Sequence, residues 1–179
     1  MLYTSHYSMA AQDAIRRIQM ATSELASAQR DLGNAYFRGE GVPLQVGTAI
    51  RWWRCAADDH DIYAQYELGL CYQHGTGVKK DLGKAAYWFR KAAEAGHTSS
   101  QFELARAYDQ GNGVPRNLKE AVRFYKRAAV GGNSGAQKIM GMLYKYGDGV
   151  PRNEVEANKW FRRARANLAN TTLNVVSWV

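Results

Sequence analysis

Histidine and cysteine are the side chains of this 179-residue sequence with the most versatile chemistry. A zinc site needs several such ligands at close spacing, typically three or four residues apart on a helix. The histidines are scattered without a second ligand at that spacing; they are His6, His60, His74 and His97. No serine or cysteine stands beside a plausible base, although a repeat fold could still assemble such a site in space. We therefore expect no enzyme, no metal and no cofactor.

Gly-x-Gly pairs occur four times, and such a motif could cradle a phosphate. A dinucleotide site or P-loop needs a strand before the glycines and a helix after them, in a single copy. Here the pairs recur between two helical patterns; they are Gly39/Gly41, Gly75/Gly77, Gly111/Gly113 and Gly147/Gly149. They are typical of turns, because glycine tolerates positive φ.

These glycines belong to a repeat with a period of 36 residues. All three prolines share one register, at Pro43, Pro115 and Pro151. Aromatic residues recur at the same interval; they are Tyr36, Tyr72, Tyr108 and Tyr144, then Trp52, Trp88, Phe124 and Trp160. Self-similarity at this period is typical of architectures in which each repeat buries its apolar side against the next.

Each repeat has the pattern of two helices joined by a turn. In the second repeat, Ala64, Leu68 and Tyr72 fall on one side of a first helix. A second helix is expected from about Leu82 to Ala95. Its inward side is formed by Ala85, Trp88, Phe89 and Ala92.

Polar residues and glycines mark the ends of the second helices. Asp81 stands at the N-cap position of the second repeat, and Gly96 is placed to end that helix. Gln45 is a poorer cap for the first repeat. The third and fourth repeats have the spacing of a capping box, with Asn117 before Glu120 and Asn153 before Glu156.

This repeat resembles the Sel-1-like repeat, a relative of the tetratricopeptide repeat. The shared pattern is Ala-x3-Leu-Gly-x2-Tyr-x2-Gly-x-Gly-Val, then Asp or Asn and a helix with Ala-x2-Trp-aromatic-x2-Ala-Ala; it is most complete over residues 64–97. The resemblance implies an all-α fold, a right-handed α-solenoid of four 36-residue helix–turn–helix repeats with an N-terminal capping helix. Departures from the pattern include His60 for a closing glycine and Ala105 for an internal one, and they imply softer packing.

The repeats define the expected organisation of one solenoid domain. Residues 10–26 keep a helical period and are expected to form the cap. The segments are an N-terminal segment 1–27, repeats 28–63, 64–99, 100–135 and 136–167, and a C-terminal tail 168–179. The tail either lies over the last helix or offers its final carboxylate to a partner.

The candidate binding surface is the side of each first helix opposite the core, because these positions line the concave surface of tetratricopeptide-like solenoids. It is rich in Tyr, Phe, Arg and Met, which are enriched in interface cores. Alternatively, some of these aromatic rings fill gaps between neighbouring first helices. The residues are Arg30, Asn34, Phe37, Arg38, Tyr63, Tyr66, Leu70, His74, Phe102, Arg106, Lys138, Met142, Lys145 and Tyr146.

The resemblance implies a non-catalytic scaffold or adaptor that binds a partner protein or peptide segment in the concave groove. A first alternative is an inhibitor or immunity protein that occludes a single toxin or enzyme. A second is nucleic-acid binding through the basic C-terminal half, since residues 136–179 carry a net charge of +4. That positive end would equally attract an acidic protein. Nucleic-acid binding would depend on salt and on Arg152, Arg162, Arg163 and Arg165.

The two cysteines and the N-terminus bear on the compartment. Cys71 has an interior register and Cys55 an outward one, so a bridge between them is not expected. Some Sel-1-like proteins carry one disulfide per repeat, but the matching sites here are Ala57 and Gln65. No secretory signal or membrane-spanning run is visible, so we expect a cytoplasmic protein with no membrane insertion, unless a signal has been removed.

Overall fold

The computed structural model describes the backbone of residues 9–176 and the side chains of residues 20–167. All regular secondary structure in this part of the chain is helical, which confirms the predicted all-α fold. The helices are α1 (Met9–Arg38), α2 (Val46–Asp58), α3 (Ile62–His74), α4 (Leu82–Glu94), α5 (Thr98–Gln110), α6 (Leu118–Val130), α7 (Ser134–Tyr146) and α8 (Glu154–Val176).

The chain divides after Glu67 into two compact units, which we call the N-terminal and the C-terminal unit. In the N-terminal unit, α1 packs against α2. In the C-terminal unit, each helix from α4 to α8 packs against the next one along the chain. This sequential packing is what a repeat protein requires, because a single pair of helices cannot bury its apolar side alone.

The helices begin where the polar caps predict. The carboxylate of Asp81 accepts a hydrogen bond from the backbone N–H of Lys84 at 2.9 Å. The amide oxygen of Asn117 accepts from the N–H of Glu120 at 3.2 Å. Gln45 makes no side-chain cap bond, as its residue type predicts. These acceptors satisfy N–H groups that have no partner within their own helix.

Only one half of the predicted capping box forms. Asn117 caps α6, but Glu120 does not bond back to the backbone N–H of Asn117. The carboxylate of Glu120 does not return to Asn117 but pairs with Arg123 at 2.7 Å. The backbone N–H of Asn117 instead donates to the carbonyl oxygen of Tyr108 at 2.8 Å. Because the turn already supplies that acceptor, the glutamate is free to stabilise the first turn of its helix through an i,i+3 ion pair.

Small residues allow the two helices of a repeat to approach closely. Gly69 is buried against the ring of Phe89, and a methyl group at this position would overlap that ring. At Gly141 the added carbon would lie 2.5 Å from the ring of Phe161. The third repeat differs, because Ala105 occupies this register and is completely buried, and the register of Phe89 holds Tyr125.

A buried glutamine links successive helices in three repeats. The amide of Gln65 donates to the carbonyl oxygen of Ala57 at 3.1 Å. Ala57 and Gln65 stand at the two positions that, by the family resemblance, match a disulfide in cysteine-rich Sel-1-like proteins. The same bond recurs from Gln101 to Ala93 at 3.2 Å and from Gln137 to Ala129 at 3.0 Å. Cys55 is exposed and Cys71 is buried, as their registers predict.

The two terminal helices are longer than the repeat requires. The helix expected over residues 10–26 is present as the first part of α1, which continues without a break to Arg38. At the other end of the chain, residues 168–176 of the predicted tail continue α8. Residues 177–179, with the final carboxylate, lie outside the described residues.

Within the described part of the chain, no helix combines the length and apolar character needed to cross a bilayer.

Candidate functional site

A groove lies between α5 and α7 of the C-terminal unit, with Tyr125 of α6 at its floor. We call it the α5–α7 groove, and its volume is about 370 Å³. It is lined by Phe102, Arg106, Asp109, Gln110, Tyr125, Ile139, Met142, Leu143, Tyr146 and Asp148. A concavity of this size, with an apolar floor and a few polar groups at its edge, is typical of a binding site for a side chain or a small molecule.

Helical spacing brings four of the predicted residues to the two walls. Phe102 and Arg106 lie one turn apart on α5, and Met142 and Tyr146 lie one turn apart on α7. Met142 is 45% exposed and Tyr146 is 71% exposed, whereas Phe102 and Arg106 are half-buried. The α7 wall therefore offers two large apolar side chains that the fold itself does not bury.

The floor is formed by an aromatic contact between half-buried Phe102 and buried Tyr125. The rings of Phe102 and Tyr125 are 6.0 Å apart between centroids. The hydroxyl of Tyr125 donates to a carboxylate oxygen of Asp109 at 3.3 Å. Burial, and then the negative charge of Asp109, raise the pKa of the Tyr125 phenol well above its usual range. The hydrogen bond itself requires a protonated phenol, because the carboxylate of Asp109 can only accept.

The α5 wall is organised by charge. Glu103 accepts from the guanidinium of Arg106 at 3.2 Å and from the amide of Gln73 at 3.2 Å. The same guanidinium lies over the ring of Phe102, 6.0 Å from its centroid. These contacts limit the conformations of Arg106 and turn a flexible cation into an oriented donor. Asp109 and Asp148 add negative charge to the lining.

Three predicted residues of the N-terminal unit are used by the fold itself. The guanidinium of Arg30 pairs with Asp61 at 2.8 Å, and Asp61 also accepts from the N–H of Ala64 as the cap of α3. The amide oxygen of Asn34 accepts from the indole of Trp53 at 3.1 Å. The ring of Phe37 lies 5.1 Å from the ring of Trp53. These residues hold α1 against α2 and the start of α3.

The other predicted residues vary in exposure. Those exposed to solvent are Arg38, Tyr63, His74, Lys138 and Lys145, and those half-buried are Tyr66 and Leu70. Arg38 makes an ion pair with Glu40 at 3.7 Å. Lys145 lies over the ring of Tyr146 at 5.4 Å, so it borders the α5–α7 groove without lining it.

Sequence reasoning assigned the position of Tyr125 to the core and so missed it as part of the site. The sequence did contain a signal. The same register holds Trp53, Phe89 and Phe161 in the other repeats, so only the third repeat places a tyrosine there. A tyrosine at a buried aromatic position needs a hydrogen-bond partner, and that partner indicates a polar edge nearby. Among the described residues, no cluster of histidine, cysteine, aspartate and glutamate could hold a metal ion.

Comparison with known proteins agrees with the repeat architecture. The family model described as Sel1 repeat matches residues 26–61, 62–97, 98–133 and 134–167. A search of the curated proteins found no match.

Solved structures of similar fold come from several bacteria. One is c5321, a protective antigen present in uropathogenic Escherichia coli strains and displaying an SLR fold, at 38% identity, TM-score 0.76 and 83% coverage of this chain. Another is a Sel1 repeat protein from Oxalobacter formigenes, at 34% identity, TM-score 0.74 and 78% coverage. This chain spans only 32% of the former protein and 57% of the latter.

A more distant structure, Helicobacter pylori cysteine rich protein B, shares the fold at 23% identity and a TM-score of 0.56, with 74% of this chain and 98% of that chain covered. The family match covers more than half of the sequence without a gap between repeats. The chain therefore belongs to the Sel1-repeat family.

Proposed function

We propose that the chain is a non-catalytic interaction protein that binds a segment of a partner protein in the α5–α7 groove. Sel1-repeat proteins are commonly protein–protein interaction scaffolds. The observation that carries the proposal is the pair of exposed apolar side chains, Met142 and Tyr146, facing Phe102 and Arg106 across a concavity. Large apolar groups left uncovered beside a pocket are typical of an interaction site.

The volume and lining indicate what kind of segment would bind. A groove of about 370 Å³ accommodates one or two large side chains of an extended chain or a helix. Burying one such side chain contributes about 1.5–3 kcal/mol. Arg106 offers a donor to a backbone carbonyl or carboxylate, and Asp109 and Asp148 offer acceptors to a backbone N–H or a cation. The proposed ligand is therefore a segment with an apolar anchor and polar groups on both sides.

Other predicted residues of the C-terminal unit would widen this surface. Lys138 lies one turn before Met142 on α7, and Lys145 lies beside Tyr146. Both are exposed, and cations at the edge of an interface steer an acidic partner toward it. We propose that they accelerate association more than they slow dissociation.

Capture from an extract of the cells that make the protein tests the proposal. The wild type, a Met142→Ala/Tyr146→Ala variant and a Tyr87→Ala control would be immobilised, and retained proteins identified by mass spectrometry. Tyr87 is an exposed tyrosine on α4 that does not line the groove. A partner retained by the wild type and the control but lost from the groove variant is the expected result.

Retention of the same proteins by all three forms would disprove the groove assignment. The identity of a retained partner distinguishes the two protein-binding hypotheses. Several proteins of one complex favour an adaptor, and a single enzyme whose activity is lost on binding favours an inhibitor.

A further inference from the structure

A second concavity lies between the start of α5 and the end of α6 in the C-terminal unit. We call it the basic pocket, and its volume is about 510 Å³. It shares no lining residue with the α5–α7 groove. Its lining residues are Gly96, Thr98, Gln101, Arg123, Lys126, Arg127, Val130 and Gly131.

The pocket has an apolar side that the fold leaves open. Val130 is the last residue of α6 and is 70% exposed. The next residue, Gly131, has no side chain, and a carbon added there would lie 2.6 Å from the hydroxyl of Thr98. The side chain of Thr98 therefore packs directly against Gly131, and the glycine allows the start of α5 to approach the end of α6. An exposed valine that lines a concavity can accept an apolar side chain from outside.

The pocket also carries an excess of positive charge. Arg123, Lys126 and Arg127 are spaced three and four residues apart on one face of α6. One carboxylate, Glu120, pairs with Arg123 at 2.7 Å. Of the residues that line the pocket, three are cations and none is an anion, so the lining favours a negatively charged ligand.

One of these cations is held in position before any ligand arrives. The guanidinium of Arg127 donates to the carbonyl oxygen of Ala93 at 3.1 Å, the same oxygen that accepts from Gln101. It also lies over the ring of Phe124, 5.4 Å from the centroid. An oriented guanidinium loses less conformational entropy on binding a carboxylate than a free one does.

The neighbouring repeats do not reproduce this combination in the described part of the chain. In the second repeat, the positions of Arg123 and Val130 hold Tyr87 and Glu94. In the fourth repeat, the position of Gly131 holds Asn167, whose amide donates to the carbonyl oxygen of Gly132 at 3.1 Å. The fourth repeat therefore carries a side chain at the position where the third repeat has a glycine.

We propose that the basic pocket is a second docking site, for an acidic peptide segment that carries one apolar side chain. The carboxylates would pair with Lys126 and Arg127, and the apolar side chain would cover Val130. An acidic protein fits better than a nucleic acid, because no aromatic ring lines the pocket on which a base could stack. A phosphate chain would also leave Val130 uncovered.

Fluorescence anisotropy with defined probes tests this proposal. The first probe is a labelled peptide with one leucine between two glutamates on each side, and the second has alanine in place of the leucine. Oligothymidylate is the nucleic-acid probe. The wild type is expected to bind the leucine peptide at least about tenfold more tightly than the alanine peptide, because a large buried side chain contributes at least about 1.5 kcal/mol.

Two variants and one matched control complete the experiment. Val130→Glu introduces the residue that Glu94 provides at the same register of the second repeat, so the fold should tolerate it. Lys126→Glu reverses a pocket charge, and Arg90→Glu makes the same kind of change at the equivalent position of the second repeat. We expect each pocket variant to weaken binding of the leucine peptide at least about tenfold, and Arg90→Glu to leave it within about twofold of the wild type.

Any one of three results would overturn the proposal. The first is equal loss of binding in Lys126→Glu and Arg90→Glu, which would indicate a diffuse charge effect. The second is equal affinity for the leucine and alanine peptides. The third is tighter binding of oligothymidylate than of the leucine peptide, which would assign the surface to nucleic acid. Thermal unfolding of each variant would verify that its fold is intact.

Discussion

The hydroxyl of Tyr125 lies 3.3 Å from a carboxylate oxygen of Asp109 and donates a hydrogen bond to it. This bond joins α6 to the last turn of α5 at the floor of the α5–α7 groove. It also explains why a tyrosine occupies a register that holds Trp53 or a phenylalanine in the other repeats, since a buried hydroxyl needs an acceptor.

Tyr125→Phe should lower the free energy of unfolding by about 1 kcal/mol near neutral pH, because it removes this bond and leaves the ring in place. The raised pKa of the phenol adds a pH dependence. The unfolded phenol ionises near pH 10 while the folded one stays protonated, so the wild type should lose stability as pH rises above about 10.

Urea unfolding of both proteins at about pH 8 and about pH 10.5 checks this prediction. The stability difference between them should shrink at the higher pH, because only the wild type loses the contribution of Tyr125. A difference that is constant across this range would mean that the phenol is not held in its protonated form.

His97 caps α5 where the adjacent repeats use Asp61 and Asn133. Its ring nitrogen Nδ1 accepts from the backbone N–H of Ser100 at 3.3 Å and lies 2.8 Å from the Ser100 hydroxyl. Burial lowers the pKa of His97. The folded protein therefore resists protonation there, while the unfolded chain binds a proton near pH 6.5.

The stability of the wild type should accordingly fall as pH drops below about 6.5 toward the folded pKa of His97. His97→Asn should reduce this dependence, because the amide oxygen of Asn133 already accepts from the N–H of Ala136 at 2.8 Å at the equivalent cap. Thermal unfolding between about pH 5 and pH 7.5 is the measurement. An unchanged pH profile in His97→Asn would assign the effect to other groups.

Two glycines in helices should respond oppositely to replacement by alanine. Gly69→Ala places a methyl group against the ring of Phe89, and we expect a loss of about 1–3 kcal/mol from overpacking. Gly47→Ala adds a methyl group with nothing within 4 Å, and we expect a gain of up to about 1 kcal/mol from helix propensity. Urea unfolding measures both, and a stable Gly69→Ala protein would show that the helices of the second repeat can separate without cost.

The fold could be predicted from the sequence because its determinants are local and repeated. Asp81, Asn117 and Gly96 each act within one turn of their own helix end, and the 36-residue period identifies equivalent positions without any tertiary information. The reciprocal half of the capping box could not be predicted, because the competing acceptor for Asn117 is a carbonyl group nine residues earlier, at Tyr108.

The candidate site was predictable only in part. Helical spacing identifies Phe102, Arg106, Met142 and Tyr146 as a face away from the core. It does not reveal which such residues already have internal partners. Arg30 pairs with a carboxylate 31 residues away, and Asn34 with an indole 19 residues away. The role of Tyr125 likewise depends on a contact with another helix.

The central claim is that a partner segment occupies the α5–α7 groove. Photo-cross-linking tests it most directly, with p-benzoylphenylalanine in place of Met142 in one protein and in place of Val155 in another. Both positions are exposed, and Val155 does not line the groove. We predict that irradiation in an extract of the cells that make the protein yields a specific adduct from position 142 and none from position 155. The same adduct from both positions, or an adduct from position 155 alone, would contradict the claim.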